Sequence, residues 1–490
     1  MKTTRTGFFS SRKITRLLPK ACSGRCPVFV CFISFGIILA GLGKVLVSSP
    51  IRDVSTPKYL DVAEKIRREG LTSERAYVFL ERLTKAVGPR LTGSPLASAA
   101  VELTRAMMIE AGFETWLEPV TVQHWVRGEE TAEIVAPRGT ESQFLAITAL
   151  GGSVPTPRGG ITADVVEADS FDALAGLARK IKDRIVFFNH PMDRAFLDTF
   201  RAYGEAAQFR TRGASEAAKY GAAAVLVRSA TSRTDRNPHA GMVQYAPSVS
   251  RIPAAAVATA DADALSRLLQ RGDRVSVQLN LGCRTLADVE SSNVIGQVRG
   301  TERPDEIILL GGHLDSWDLA VGAHDDGSGC VQAIEALRLI KSFGPTLKRT
   351  VRVVLFMNEE FGATGGRDYA ADDRRIKERH LAAIESDRGG FLPIGFGISG
   401  SPDQFARLKI LEDLLRPSGI QWVRAGGGGA DVGPLGARGA ILMSFIPNAQ
   451  TYFDVHHSGL DILSSVHPRE LELGAIVMAI AAYVAAQEGI

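Results

Sequence analysis

Helical patterning begins after Pro50 and runs through "YLDVAEKIRREG" and "SERAYVFLERLTKAVG". A turn, "GPRLTGSP", separates it from a third helical stretch, "ASAAVELTRAMMIEAG", and from a strand-like "FETWLEPVTV". Around Ala136 the text changes to short β-like segments between Gly and Pro turns, among them "RIVFFNH", "AAAVLVRSA", "IPAAAVAT" and "RVSVQLNL". From Ser292 the alternation of strand and helix resumes with "NVIGQVRG", "EIILLGGH", a helix over about 328–342, "TVRVVLFMN", "LAAIES", "GAILMSFIP" and an apolar helix after Pro468. The expectation is an α/β protein interrupted by a β-rich insert. Its divisions are an N-terminal segment at 1–49, a first part of the main domain at 50–135, the insert at 136–285 and the remainder at 286–490.

The N-terminal segment has a different character. It holds eight of the 57 Lys and Arg residues and no Asp or Glu, so the rest of the chain sets 49 basic residues against 54 acidic ones and is net acidic. No basic face remains to meet a phosphate backbone, which argues against nucleic acid as a partner. The basic residues precede "PVFVCFISFGIILAGLG", an uncharged run long enough to act as an export signal or a membrane anchor. The expected placement is outside the cytoplasm, membrane-anchored or secreted. Only Cys283 and Cys330 fall beyond this segment, leaving open one bridge or two small buried thiols.

Each predicted strand after Ser292 ends in polar residues: "GGHLD", "MNEEFG", "ESDRGG" and, beyond the last, "YFDVHHSGLD". The carboxyl ends of strands in an open α/β sheet line one crevice. His313, Asp325, Glu360, Asp387 and His457 therefore converge, and two imidazoles with three carboxylates suit borderline divalent ions such as Zn²⁺. Five ligands exceed the need of one catalytic zinc and suit two ions if one carboxylate bridges. His124, His190, His239, His380 and His467 lack partners at ligand spacing. His324 adjoins Asp325 and would point to the other face of an extended segment.

The set "HLD", "GAHDDGSG", "NEEFGATGG", "ESD" and "HHSGLD" resembles the zinc exopeptidases of the aminopeptidase and glutamate carboxypeptidase superfamily. The likeness begins at "VGPRLTGSP", continues through "EPVTVQHWVRGE", "KYGAAAVLVRSATS", "HAGMVQY" and "RIPAAAVAT", and covers nearly everything after the N-terminal segment. It implies a mixed-sheet catalytic domain with a protease-associated-like insert that overhangs the crevice and contributes to a homodimer. By the same resemblance two Zn²⁺ ions bind, one to His313 and Asp387, the other to Glu360 and His457, with Asp325 bridging across a cis Asp325–Asp326 peptide. Glu359 takes the part of the general base that deprotonates a metal-bridged water. Asp315 and Asp461 match acidic positions that orient ligand histidines or support the site. His456 stands where some relatives carry a tyrosine oxyanion donor, and Asp431, in "AGGGGADVGPL", is a candidate contact for a substrate amine. The implied activity is that of a carboxypeptidase- or dipeptidase-type exopeptidase on dipeptides or short peptides. An aminopeptidase on longer chains and a non-catalytic receptor on the same scaffold are the alternatives, and receptors of this kind lack ligands that this chain retains.

Overall fold

The computed structural model describes residues 57–135, 142–344 and 346–490. The N-terminal signal or anchor segment lies outside the described residues, which fall within a single compact unit.

Two eight-stranded sheets organise the chain. In the first, the strand Glu114–Val122 pairs antiparallel with Val289–Val298, which pairs antiparallel with Arg349–Phe356. Arg349–Phe356, Arg303–His313, Arg379–Glu385 and Ile441–Pro447 then run parallel. Pro393–Ser399, antiparallel to Ile441–Pro447, and Trp422–Ala425 complete the mixed sheet. The parallel strands are covered on both faces, which is why Ile307–Leu310 and Thr350–Phe356 are almost continuous apolar runs rather than alternating ones. The helices Ser328–Ser342 and Pro468–Glu488 cover one face. Tyr369, Val432 and Leu435 pack on the other. Pro468–Glu488 is long and apolar enough to cross a membrane, but here most of it is buried as a core helix of the sheet.

Register places the chemistry. His313 lies level with Phe356, and Gly311 with Glu385, so the chain leaves three adjacent strands at one edge. Asn358–Glu360 and Ser386–Asp387 follow immediately and meet His313 there.

The second sheet draws on Glu130–Ile134 through Ser276–Leu281, inserted between the first two strands of the main sheet and beginning a few residues before the expected boundary at 136. It is not simply β-rich. Ile161–Ala168, Ile185–Phe188, Ala224–Arg228 and Ala254–Val257 are parallel, and their connections include the 20-residue helix Thr199–Ala218. That helix buries Ala202, Ala206, Ala207, Gly213, Ala214 and Ala217, so the apolar stripe that announces an amphipathic helix is faint in its sequence. Cys283 and Cys330 are separate buried thiols, which removes the bridge from consideration.

Candidate metal centre

The glycines around His313 permit a close approach. A Cβ on Gly329 would lie 2.0 Å from the Ser386 carbonyl oxygen, and one on Gly312 would lie 2.6 Å from Asp326 Oδ2. With hydrogen there instead, the segment Ala323–Gly327 folds directly under the strand end. Asp326 accepts the backbone N–H of His313 at 3.0 Å and of Gly329 at 2.9 Å, which ties that segment to the strand. The Asp325–Asp326 peptide is cis.

Two buried carboxylates hold the backbone of the neighbouring acids. Asp315 accepts the N–H groups of Asn358, Glu359 and Glu360 at 2.8, 3.1 and 3.3 Å. Asp461 accepts those of His324 and Asp325 at 2.7 and 3.0 Å. Neither carboxylate orients a ligand histidine by hydrogen bonding to its ring. His313 Nδ1 instead meets the Asp315 carbonyl oxygen at 3.0 Å, and His457 Nδ1 meets the Ala240 carbonyl oxygen at 3.3 Å. Asp315 is fully buried and meets the site through the turn that carries Glu359 and Glu360 and through His313, whose Nδ1 lies 3.8 Å from its Oδ1.

With each Nδ1 engaged, both Nε2 atoms face carboxylates. His313 Nε2 is 3.2 Å from Asp325 Oδ1 and 3.5 Å from Asp387 Oδ1. His457 Nε2 is 3.1 Å from Asp325 Oδ2 and 3.2 Å from Glu360 Oε2. The two oxygens of one aspartate thus serve two separate groups. Ligands roughly 2.0–2.2 Å from a tetrahedral zinc stand about 3.3–3.6 Å apart, close to these separations. Asp325 Oδ2 and Glu360 Oε1 are buried and have no hydrogen-bond partner among the described residues, as expected of atoms aimed at a cation. The donor set and its spacing fit two divalent ions that share Asp325. Trp317 fixes Glu360 by donating its indole N–H to Oε2 at 2.6 Å.

Charge reinforces this reading. Burial alone would push His313 and His457 down, but Asp325, Asp387 and Glu360 overcome it and hold both imidazoles well above their usual range. Asp325 is held well below the carboxylate range despite its burial, by His313 and His457. The carboxylates therefore demand positive charge between them, and protons on the histidines supply it where no metal does. Burial, with Asp387, Glu360 and Asp431 nearby, pushes Glu359 well above the ordinary glutamate range.

The remaining candidates divide. His456 stacks on His457 with ring centroids 3.6 Å apart and places Nε2 3.6 Å from Asp325 Oδ2, within the ligand cluster itself. Burial holds it well below the imidazole range, so it is neutral and keeps one N–H to donate. Asp431 is buried behind the cleft wall, which Ala430 lines in its place. Burial and then Glu385 raise it well above the carboxylate range, and its place behind Ala430 keeps it from the cleft. His324 turns away, stacks on Phe391 and accepts the Gly390 N–H.

The centre opens into a cleft of about 470 Å³ whose opposite wall comes from the inserted chain, including Phe200, Tyr203, Arg210 and Met242. Sequence reasoning did not single out Arg210, His239 or Trp317. Trp317 lies within the motif region, but Arg210, whose Nη1 lies 3.4 Å from His457 Nδ1, and His239 sit more than 200 residues from the histidine segment they touch, with no local pattern to reveal them.

The sequence profile of peptidase family M28 matches residues 293–482, the span that supplies every candidate ligand. The chain is 37% identical to carboxypeptidase Q of Bos taurus over 432 residues, which cover 87% of this chain and 89% of that one. It is also 37% identical to carboxypeptidase Q of Homo sapiens over 418 residues, covering 85% and 86%. The chain belongs to peptidase family M28. A crystal structure of a peptidase M28 precursor from Shewanella amazonensis, 35% identical, superposes with a TM-score of 0.85 over 89% of this chain and 98% of the other. Membership makes this chain a zinc metallopeptidase, and its mixed α/β architecture is that of the family.

Proposed function

We propose that the chain is a two-zinc exopeptidase that cleaves dipeptides and other short peptides carrying a free carboxyl terminus. The supporting observation is the placement of the two Asp325 oxygens, one toward His313 and Asp387, the other toward His457 and Glu360. These five residues would hold the ions. When bound, the ions lower the pKa of a coordinated water and polarise the scissile carbonyl.

The protein's own groups do the rest. Glu359, whose pKa burial raises, accepts the proton from the attacking water and returns it to the departing amine. The neutral imidazole of His456 donates its N–H toward the oxygen on which negative charge develops. Arg210 is the cation among the cleft-lining residues and offers a guanidinium to the carboxylate of a short substrate. Phe200, Tyr203 and Phe453 supply apolar wall for a side chain. The inserted chain roofs the cleft, which excludes water and limits substrate length. The basic, then apolar, N-terminal segment supports an activity outside the cytoplasm.

Zinc counting combined with a matched peptide set tests the reading. Free dipeptides should be hydrolysed, their C-terminal amides poorly, and tetrapeptides slowly, by protein holding two ions per chain. Preferential removal of N-terminal residues from long peptides would replace it with an aminopeptidase reading. Saturation at one ion would refute the bridging role of Asp325.

A further inference from the structure

The backbone around His457 is unusual for a metal ligand. His457 has φ +59°, in the left-handed region that non-glycine residues enter only when their surroundings enforce it. Its own segment supplies only short-range turns, from His456 N–H to the Tyr452 carbonyl and from Ser458 N–H to the Val455 carbonyl. The carbonyl groups at the ligand itself are held from the inserted chain. His239 Nδ1–H donates to the His456 carbonyl at 2.6 Å, and Ala240 N–H donates to the His457 carbonyl at 2.7 Å.

Ala240 engages the ligand a second time. Its carbonyl also meets His457 Nδ1 at 3.3 Å and accepts from Arg210 Nη1 at 3.2 Å, so Nδ1 turns toward the inserted chain and Nε2 faces Asp325 and Glu360. The clamp is anchored in the second sheet. Ser229 Oγ accepts the His239 backbone N–H at 3.0 Å and donates to the Val257 carbonyl at 2.8 Å. Thr231 Oγ1 and Ser232 Oγ secure the start of the ligand segment at the Phe453 carbonyl and Asp454. Gly241 follows with φ +134°, and a Cβ there would lie 2.3 Å from Arg210 Cζ, so the loop passes only because this residue has no side chain. His313, by contrast, is oriented by Asp315, two residues away in its own chain segment.

We propose that His239 is a positioning residue for metal ligand His457, so that the inserted unit completes one of the two ion sites while the other is self-sufficient within the main sheet. This rests on the two-ion reading of the centre. Loss of outer partners of metal-bound histidines weakens metal affinity by about 10–100-fold, and here the loss falls on one ion of the two.

The test is zinc titration against a competing chelator on the full chain, comparing wild type, His239→Ala and His239→Asn. Asparagine places an amide N–H near the position of imidazole Nδ1. His239→Ala should keep one ion at wild-type affinity and bind the second about 10–100-fold more weakly, while His239→Asn restores most of the loss. Two ions at wild-type affinity in His239→Ala, equal weakening of both, or no rescue by asparagine would overturn the proposal. Hydrogen exchange of the wild-type protein gives a second measurement that needs no variant. By reciprocity, zinc must slow exchange of the Ala240 amide if that amide helps to hold the ligand, and an unchanged rate overturns the proposal. Wild-type protein that saturates with one ion fails the two-ion reading itself, a result distinct from failure of the clamp.

Discussion

Glu359→Gln isolates the proton-transfer role from everything else the turn does. The backbone N–H of residue 359 is held by Asp315 at 3.1 Å, and this bond survives the substitution because it involves no side-chain atom of Glu359. Glutamine matches glutamate in volume, and the ligand Glu360 beside it keeps its own contacts with Trp317 and His457. What disappears is a carboxylate whose pKa burial has raised well above the ordinary value. Removal of such a base costs about 10²–10⁴-fold in rate, equivalent to about 2.7–5.4 kcal/mol of transition-state stabilisation. Steady-state dipeptide hydrolysis should therefore show kcat falling by that factor with KM little changed. Zinc content, measured on the same preparation, should hold at the wild-type value. The metal-free variant should be no less stable than wild type, since the substitution deletes one member of a crowded acidic group with Asp387, Glu360 and Asp431. Turnover within tenfold of wild type at full zinc content would show that another residue moves the proton. A fall in activity matched by a fall in zinc would show that residue 359 acts as a ligand.

Asp325→Asn turns an amide N–H₂ toward one of the two histidines and should halve zinc content, whereas retention of two ions would exclude the bridge. Asp315→Asn keeps one acceptor for three N–H groups, and displacement of Glu359 by even 1 Å should lower kcat by about 10²-fold, checked by kinetics alongside zinc analysis. Arg210→Gln should raise KM about 10–100-fold more for peptides with a free carboxyl terminus than for their C-terminal amides, as loss of a charged hydrogen bond implies, while any effect common to both reports its contacts with Ala240 and His457. Burial lowers His380 to about 3, and Tyr369 is hydrogen-bonded to its Nε2 at 2.9 Å. The unfolded imidazole protonates below about pH 6.5 while the folded one does not until about pH 3, so stability falls as pH drops through that window, by up to about 1.4 kcal/mol per unit. His380→Gln should reduce this slope, to which the buried His239 and His324 also contribute, in urea unfolding of the zinc-free protein, and an unchanged slope would refute the assignment.

The main sheet was legible because parallel buried strands are written as apolar runs and each ended in residues with a shared chemistry. Register then brought His313, Glu360 and Asp387 to one edge, a geometry that the sequence implied but did not state. Asp325 and His457 needed the resemblance as well as the strand ends, because each lies in a loop well beyond the strand that leads to it. The helix Thr199–Ala218 escaped because alanine and glycine bury without leaving a strong periodic signal. Asp315 and Asp461 were correctly placed near the site, yet their contacts to backbone N–H groups, rather than to imidazole rings, depend on loop geometry that no spacing encodes. His239 was indistinguishable from an ordinary core histidine, since its partner is a main-chain carbonyl 217 residues away.

The second sheet interrupts the main one after a single strand, and every candidate ligand lies downstream of it. Chain synthesis therefore delivers the inserted sheet before any candidate ligand. N-terminal units generally fold first during synthesis, so the strands of 130–281 can close while Glu114–Val122 waits for Val289–Val298 to emerge. His457 is made after His239 and Ala240, the residues that hold its segment. An ion held by both Glu360 and His457 would therefore bind only after the inserted strands have been made.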